Sequence, residues 1–216
     1  MKVAPDSLVH ASRLVILPID RIALRCAGFS VGKNGWWRDT AQRLLVERQS
    51  DNVATPLRQM ARTNESHLGR LHALWTLDGK GQLDWNTTRN ALNDKHEMVR
   101  ATAIRLSERF LETPNRPEVV AGLKSVYGDA RPMVRFQLLL TLGEIGDADA
   151  QRLMAAIVNE HPTRYFGTAA LSGLQGRELE FLARLLAGSD FSAAKEKAIG
   201  LIKTLAMAVM NEQKPD

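Results

Sequence analysis

Cysteine is nearly absent from this sequence of 216 residues, since Cys26 is its only member. A single cysteine excludes an intrachain disulfide, a cysteine-rich zinc site and a Cys-x-x-Cys-His haem attachment within the chain. Long apolar runs are also lacking, because the stretch at residues 14–19 is broken by Pro18 and bordered by charged residues. A membrane-spanning helix needs roughly 18 apolar residues, so we expect no membrane insertion by this chain.

The residue patterns of catalytic and metal sites are lacking too. The five histidines are scattered, and no His-x-x-x-His pair places two ligands on one helical face. There is no Gly-x-Ser-x-Gly elbow, and the glycines at residues 28–35 lack the spacing and the Gly-Lys-Ser/Thr ending of a phosphate-binding loop. We therefore predict no catalytic residue, no metal and no cofactor.

The excess of positive charge is small. The formal net charge is +5, and most of the excess precedes residue 49. A surface that binds nucleic acid usually gathers Lys and Arg into a stripe that neutralises phosphates, and no such stripe is evident. The charge pattern therefore does not favour nucleic acid as the partner.

What the sequence does contain is an internal repeat. Five segments share an Arg-x-x-Ala-like core, of which the first four keep the arginine, and they start near residues 38, 70, 100, 135 and 167. Intervals of about 30 to 35 residues correspond to one helical hairpin each. Between these segments lie further amphipathic runs, at residues 53–62, 85–92, 117–127, 149–158 and 177–186.

The repeat predicts the fold class. A hairpin of this size cannot cover its own apolar faces, so it must stack on its neighbours. We predict an all-α fold, a right-handed α-α superhelix of HEAT or armadillo type with about five helical hairpins. The repeat domain is expected at residues 31–210, with a last helix at 191–210. Residues 1–30 fit the repeat poorly and are taken as an N-terminal extension, and residues 211–216 as a frayed tail.

The repeated arginine near the start of each second helix has two interpretations. In the first, its guanidinium bonds the Asp or the carbonyls of the preceding turn and builds a ladder between repeats. Asp94 before Arg100 and Asp129 before Arg135 fit this interpretation. In the second, the arginines together receive an anionic ligand. We prefer the ladder, whose predicted members are Arg38, Arg70, Arg100, Arg135, Asp94 and Asp129.

The second helices also offer a face to a partner. Outward polar positions on them are candidate contacts with a protein, and a plain solvated face is the alternative. The two adjacent tryptophans, Trp36 and Trp37, are expected to pack into the core at the seams between repeats. The candidate interaction face consists of Arg43, Glu47, Arg105, Glu108 and Glu144.

Two runs of the sequence resemble a known family. The run Asn-Gly-Trp-Trp-Arg-Asp-Thr-Ala-Gln-Arg-Leu-Leu-Val-Glu-Arg at residues 34–48 closely resembles the HEAT segment of large planctomycete-type membrane-bound dehydrogenases with haem-binding domains. The run Gly-Arg-Leu-His-Ala-Leu-Trp-Thr-Leu-Asp-Gly at residues 69–79 does so as well. The resemblance covers about residues 33–108 and continues more loosely to 186. In that family a β-propeller precedes the repeats, and a cytochrome c module usually follows them.

The resemblance implies a bacterial spacer or docking scaffold without oxidoreductase activity, because the haem motif and the propeller strands are absent from this sequence. Such a module could be split from the enzyme, encoded as a truncated reading frame, or excised from it, and these three origins stay open. A dehydrogenase-type parent implies a periplasmic location, and any other origin a cytoplasmic one. The sequence leaves the oligomeric state and the identity of the protein partner open.

A second function comes from another class of protein. Bacterial alkylpurine DNA glycosylases also have a small basic HEAT-like fold, in which aromatic residues and an Asp line a groove that faces DNA. Trp37 and Asp39 invite this comparison, although the basic excess is small. We therefore predict a non-enzymatic scaffold that binds protein, with a nucleic-acid-binding protein of the glycosylase type as the alternative.

Overall fold

The computed structural model describes residues 35–48, 53–174 and 176–188, together with 199–200, 202–204, 206–207 and 210. All regular elements in these ranges are helical. A short 3-10 helix, Glu108–Phe110, directly follows the α-helix that ends at Ser107. The main helices are α1 (Gly35–Glu47), α2 (Ala54–Thr63), α3 (His67–Gly79), α4 (Trp85–Ala91), α5 (Glu97–Ser107), α6 (Arg116–Ser125), α7 (Pro132–Ile145), α8 (Ala148–Glu160), α9 (Arg164–Ser172) and α10 (Glu178–Gly188).

The predicted all-α fold class is confirmed for the part of the chain that the structure describes, which contains no β-strand. The expected extension at residues 1–30, with Cys26, and the expected tail at 211–216 lie outside the described residues. Of the predicted last helix at 191–210, the described residues from 199 onward are helical.

The chain divides into two compact units, Met1–Thr87 and Thr88–Asp216, and the division falls within α4. In the first unit, α1 and α2 both pack against α3. In the second unit, α5, α7 and α9 pack in that order, and α8 contacts α7, α9 and α10. When hairpins stack, their second helices form one layer, so each second helix is expected to contact the second helix of the next hairpin.

Local signals in the sequence set the ends of α7, α8 and α9. Pro132 occupies the first turn of α7, where its missing N–H costs nothing, and Gly146 ends the helix in the left-handed conformation at φ 67°. Asp147 then caps α8 by accepting a hydrogen bond from the amide of Ala150 at 2.8 Å. Thr163 caps α9 in the same way, at 3.3 Å from the amide of Phe166. The chain therefore turns at Gly146-Asp147, between α7 and α8.

The ends of α7 and α9 cross at two glycines without any side chain between them. A Cβ atom on Gly143 would lie 2.6 Å from the Cα of Gly173, and a Cβ atom on Gly173 would lie 2.5 Å from the Cα of Gly143. Such distances are shorter than van der Waals contact, so glycine is required at both positions. Because the C-terminal ends of α7 and α9 meet here, the two helices run in the same direction.

Arg177 covers this crossing and binds the carbonyls of both helix ends. Its Nη2 donates to the carbonyl oxygens of Gly143 at 3.3 Å and Gly173 at 2.9 Å, and its Nε donates to that of Leu174 at 2.7 Å. Its Nη1 also donates to the carbonyl of Gly146. The last carbonyls of a helix have no partner within it, so this one guanidinium satisfies the ends of two helices.

Two further cations bind helix ends in other parts of the fold. Lys80, just after α3, donates from Nζ to the carbonyls of Leu45 at 3.2 Å and Arg48 at 2.7 Å, at the end of α1. Arg116, the first residue of α6, donates to the carbonyl of Ile145 at 3.4 Å, at the end of α7. Lys80, Arg116 and Arg177 are called the capping cations below.

Arg100, one of the predicted ladder residues, joins two repeats. It donates to the backbone carbonyl of Asp94 at 2.8 Å and to both carboxylate oxygens of Asp129 at 2.5 and 3.1 Å. The expected pairing of Asp129 with Arg135 is thus replaced by a pairing with Arg100, because α5 and α7 pack together and bring the turn before α7 beside α5. Burial alone would raise the pKa of Asp129, but the hydrogen bonds from Arg100 and from the amide of Arg131 lower it.

The other predicted ladder arginines have different surroundings. Arg70 is buried and donates to the carbonyls of Asn64 at 2.7 Å and Glu65 at 3.1 Å. Arg135 is half-buried and acts on Asp129 through its charge. The Nε atom of Arg38 is buried and has no hydrogen-bond partner among the described residues. One ladder formed by all four arginines therefore stays a prediction.

We expect Arg100→Ala to lower the free energy of unfolding by about 1–3 kcal/mol at pH 7, because Asp129 would keep a largely buried charge without its partner. Urea denaturation of Arg100→Ala, Asp129→Ala and the double variant measures the coupling, and the double variant should cost less than the sum of the single ones. Arg135→Ala serves as the matched control and should cost less than Arg100→Ala. Equal costs would contradict the pairing.

The effect of Arg100→Ala should also depend on pH. The pKa of Asp129 is lowered from its ordinary value of 3.8, so its stabilising effect is present above that value and is lost as the pH falls through the lower pKa of the folded state. The difference between wild type and Arg100→Ala should therefore shrink in strong acid.

We expect Gly143→Ala to lower the free energy of unfolding by about 2 kcal/mol, since the added methyl group forces α7 and α9 apart by more than the helix propensity of Ala offsets. Gly128→Ala is the control, because a Cβ atom there has nothing within 4 Å. Thermal unfolding of both variants measures the difference. A wild-type midpoint for Gly143→Ala would mean that the crossing is not tight in solution.

Candidate functional site

The second helices of the hairpins are α1, α3, α5, α7 and α9, and the predicted contact residues lie on them or directly after them. Arg43 and Glu47 lie one turn apart on α1, with 3.7 Å between Nε and Oε1 and with side chains 67% and 60% exposed. An ion pair this exposed contributes about 0–1 kcal/mol to stability. Both side chains are therefore open to exchange this contact for one with a partner.

Arg43 and Glu47 border an open groove of about 530 Å³ between α1 and α3. Val46 and the half-buried Trp75 supply its apolar surface. Acidic and amide groups supply the rest, and the remaining lining residues are Asp39, Gln42, Asp78 and Gly79. The groove combines one aromatic surface with carboxylates, which suits a peptide segment better than a phosphate.

His72 joins α1 to α3 beside this groove. Its Nδ1 lies 2.7 Å from Oε1 of Gln42, and its Nε2 lies 4.0 Å from a carboxylate oxygen of Asp39. Burial lowers the pKa of His72. The negative charge of Asp39 raises this pKa in part, and the positive charge of Arg38 lowers it further. His72 is therefore neutral at pH 7 and serves as a structural hydrogen-bond donor to Gln42.

The two adjacent tryptophans are exposed, so the expectation that both pack into the core is wrong. Trp36 is 57% and Trp37 52% exposed, and their rings meet edge to face with centroids 4.7 Å apart. Buried positions on α1 are taken instead by Ala41 and Leu45, four residues apart. The two rings lie before this stripe begins and contact each other.

In the second unit, Arg105, Glu108 and Glu144 form one charged cluster. Arg105 donates from Nη1 to Oε2 of Glu108, while Oε1 of Glu108 accepts the hydroxyl of Thr141 at 2.6 Å. Glu144 lies one turn after Thr141 on α7, and its charge acts on Glu108. Sequence reasoning identified the three charged members but not Thr141. The one feature of the sequence that could have identified Thr141 is its position 33 residues after Glu108, which is the length of one repeat.

The surroundings of Glu108 disfavour the ionised form of its carboxyl group. Burial raises the pKa of Glu108, the charge of Glu144 raises it further, and the bonds from Thr141 and Arg105 only partly oppose the increase. Its side chain is 16% exposed, whereas Arg105 beside it is 55% exposed. The folded chain therefore holds a proton on Glu108 more tightly than the unfolded chain does, and one edge of the carboxyl group reaches the surface.

The described residues hold no cluster of three or more His, Cys, Asp or Glu side chains that could bind a metal. None of the helices in the described ranges combines the length and the apolar character needed to cross a bilayer.

Comparison with known proteins identifies the repeat. Residues 86–175 match the family model described as HEAT repeats, and this segment contains α5 to α9 with Arg100, Asp129 and the Glu108 cluster. The match supports a HEAT-repeat module and, with the all-helical structure, an α-solenoid fold. No curated protein and no solved structure matches the chain. The matched residues overlap only the last part of residues 33–108, which carry the dehydrogenase resemblance.

We expect Glu108→Gln to stabilise the protein at pH 7 and to lose this advantage in acid. The pKa of Glu108 is raised in the folded state, so the folded chain binds the proton more tightly, and stability falls as the pH rises through that pKa. Thermal unfolding of wild type and Glu108→Gln from pH 4 to pH 8 measures the effect. Glu47→Gln, at an exposed carboxylate, is the control and should show a smaller change. A destabilised Glu108→Gln at pH 7 would contradict this account.

Proposed function

We propose that the chain is a non-catalytic HEAT-repeat scaffold or spacer that binds a protein partner through the exposed faces of its second helices. The Glu108 cluster is the observation that carries this proposal. Arg105 is 55% exposed and bonds Glu108, whose other carboxylate oxygen accepts the hydroxyl of Thr141, so charges of both signs reach the surface where α5 and α7 meet. The raised pKa of Glu108 supports the proposal, because acids with shifted pKa values are candidates for functional positions.

Protein is the partner class that the charges support best. In the first unit Arg43 is already paired with Glu47, and in the second unit Arg105 is paired with Glu108. A nucleic acid would instead need a row of cations that neutralises successive phosphates. Paired charges of both signs within each unit suit a protein surface, where complementary charges set register and orientation.

We propose further that the chain is a module or fragment of a larger dehydrogenase or cytochrome-type protein. The support is the resemblance of residues 33–108, in which the runs at 34–48 and 69–79 are the specific part. In such a parent this chain would carry no cofactor of its own, and it would separate or dock the catalytic modules in the periplasm.

One observation supports the nucleic-acid alternative. Trp37 and Asp39 are both exposed, and Asp39 lines the groove between α1 and α3. Aromatic side chains at a surface groove stack on bases in proteins that bind nucleic acid. This alternative predicts binding to duplex DNA that weakens steeply with added salt.

Photo-crosslinking at single positions tests the proposed function. A photoreactive amino acid in place of Arg105 or Glu144 should crosslink a protein partner in cells that express the chain from its own locus. The same amino acid in place of Arg152 on α8 or Glu180 on α10 is the matched control on the first helices and should crosslink much less. Equal yields at all four positions would contradict a binding face on the second helices.

The same samples distinguish the finer proposals. An apparent mass well above 24.0 kDa before irradiation would support a larger parent polypeptide. Duplex DNA added to a lysate before irradiation should leave the crosslink yield unchanged, whereas a lower yield at low salt would favour the nucleic-acid alternative.

A further inference from the structure

Four large apolar side chains are exposed near the starts of α5, α7 and α9. They are Met98, Met133, Phe136 and Tyr165, with exposed fractions from 36% to 77%. Met98, Met133 and Tyr165 each occupy the second position of their helix, and Phe136 lies one turn further along α7. These four residues are called the apolar strip below. Single exposed apolar residues are common, but a group at equivalent positions of successive repeats is typical of a binding surface.

The packing of the three helices places the strip along one edge. Glu108 after α5 bonds Thr141 near the end of α7, and Gly143 near the end of α7 meets Gly173 after α9. The C-terminal ends therefore lie side by side, so α5, α7 and α9 are parallel. Their first turns consequently lie together at the opposite edge, where Arg100 of α5 also reaches the turn before α7 through Asp129.

Arginines accompany the apolar strip at this edge. Arg131 directly precedes α7 and Arg164 is the first residue of α9, and both are exposed, while Arg135 on α7 is half-buried. Within the described part of the chain, none of the three side chains forms a hydrogen bond or a salt bridge. The first turns of α7 and α9 contain no acidic residue, and that of α5 contains Glu97 alone. Asp129 also lies at this edge, but Arg100, Arg131, Arg135 and Arg164 outnumber Glu97 and Asp129, so the edge is apolar and net positive.

We propose that the apolar strip is the docking site for an acidic peptide segment of a protein partner, which carries a large apolar side chain at every third position and carboxylates between them. This inference rests on the proposed function and specifies its partner. The apolar side chains of the segment cover Met98, Met133, Phe136 and Tyr165, and its carboxylates pair with Arg131, Arg135 and Arg164. Charge complementarity selects the acidic segment over a basic one.

The helix spacing specifies the pattern of the segment. Packed helices lie about 8–10 Å apart, and a chain in the polyproline II conformation advances about 3.1 Å per residue with three residues per turn. A segment in this conformation that crosses α5, α7 and α9 therefore presents every third side chain to the same face and meets a new helix at about every third residue. Its apolar side chains are expected at every third position, with Asp or Glu between them.

Fluorescence anisotropy with defined peptides tests the proposal on the full chain. The probe is a labelled peptide with Leu or Phe at every third position and Glu or Asp at the others. One control peptide replaces the acids with Lys, and a second keeps the acids but replaces Leu and Phe with Ser. The probe should bind, more weakly at higher salt, and both controls should bind at least about tenfold more weakly.

Variants locate the site without disturbing the core, because the replaced side chains are exposed. Met133→Ser combined with Tyr165→Ser should weaken binding of the probe by about tenfold or more. Arg131→Glu combined with Arg164→Glu should weaken it similarly and reduce its salt dependence. The control Leu179→Ser removes a side chain that is 60% exposed on α10 and should leave the dissociation constant unchanged.

Several outcomes would overturn the proposal. These are no binding of the probe at high micromolar concentration, equal binding of either control peptide, and loss of binding in Leu179→Ser as large as in the strip variants. Binding of duplex DNA or of phosphatidylserine vesicles through Arg131 and Arg164, in place of the peptide, would also overturn it. Crosslinking of a partner at Arg105 and Glu144 would survive such a result, so failure of the strip would be distinguishable from failure of the scaffold.

Discussion

The backbone carbonyls at the ends of the second helices are the constraint on which the packing depends. A helix cannot satisfy its own last carbonyls, and each one left buried without a partner costs about 1–3 kcal/mol. The capping cations come from residues outside the helices that they cap: Lys80 binds the end of α1, and Arg116 and Arg177 bind the end of α7. Each such bond sets the axial position of two elements at once. Within each unit, these bonds therefore help to set the register in which one hairpin stacks on the next.

In the second unit, that register determines which side chains lie together at each end of the helices. Because α5, α7 and α9 are parallel, their last turns gather the charged cluster around Glu108, and their first turns gather exposed apolar residues with arginines. The glycine crossing at Gly143 and Gly173 holds the two backbones in direct contact, which is the closest approach two helices can make. Met133 and Tyr165 consequently lie at the exposed edge that the stacking of α7 and α9 creates.

Much of the fold was predictable because its signals are local and periodic. The arginine that recurs at Arg38, Arg70, Arg100 and Arg135 lies near the starts of α1, α3, α5 and α7, and the amphipathic runs between these segments correspond to the first helices. Partners were harder to predict. Asp129 precedes Arg135 in its own repeat but bonds Arg100 of the previous one, because α5 packs against α7 and brings Arg100 beside the turn before α7. The separation of one repeat between Thr141 and Glu108 was the only signal in the sequence, since a buried threonine becomes the partner of Glu108 only after α5 and α7 pack.

The sequence by itself determined the all-α class, the period of the repeat and the residues that alternate between core and surface, because these follow from helix periodicity and turn chemistry within short stretches. Only the tertiary structure decided which cation caps which helix end, that Trp36 and Trp37 are exposed, and that Met98, Met133 and Tyr165 share one edge. These features join residues about one repeat apart, and their proximity depends on the register of stacked helices. That register results from many weak contacts acting together, so no single segment of the sequence encodes it.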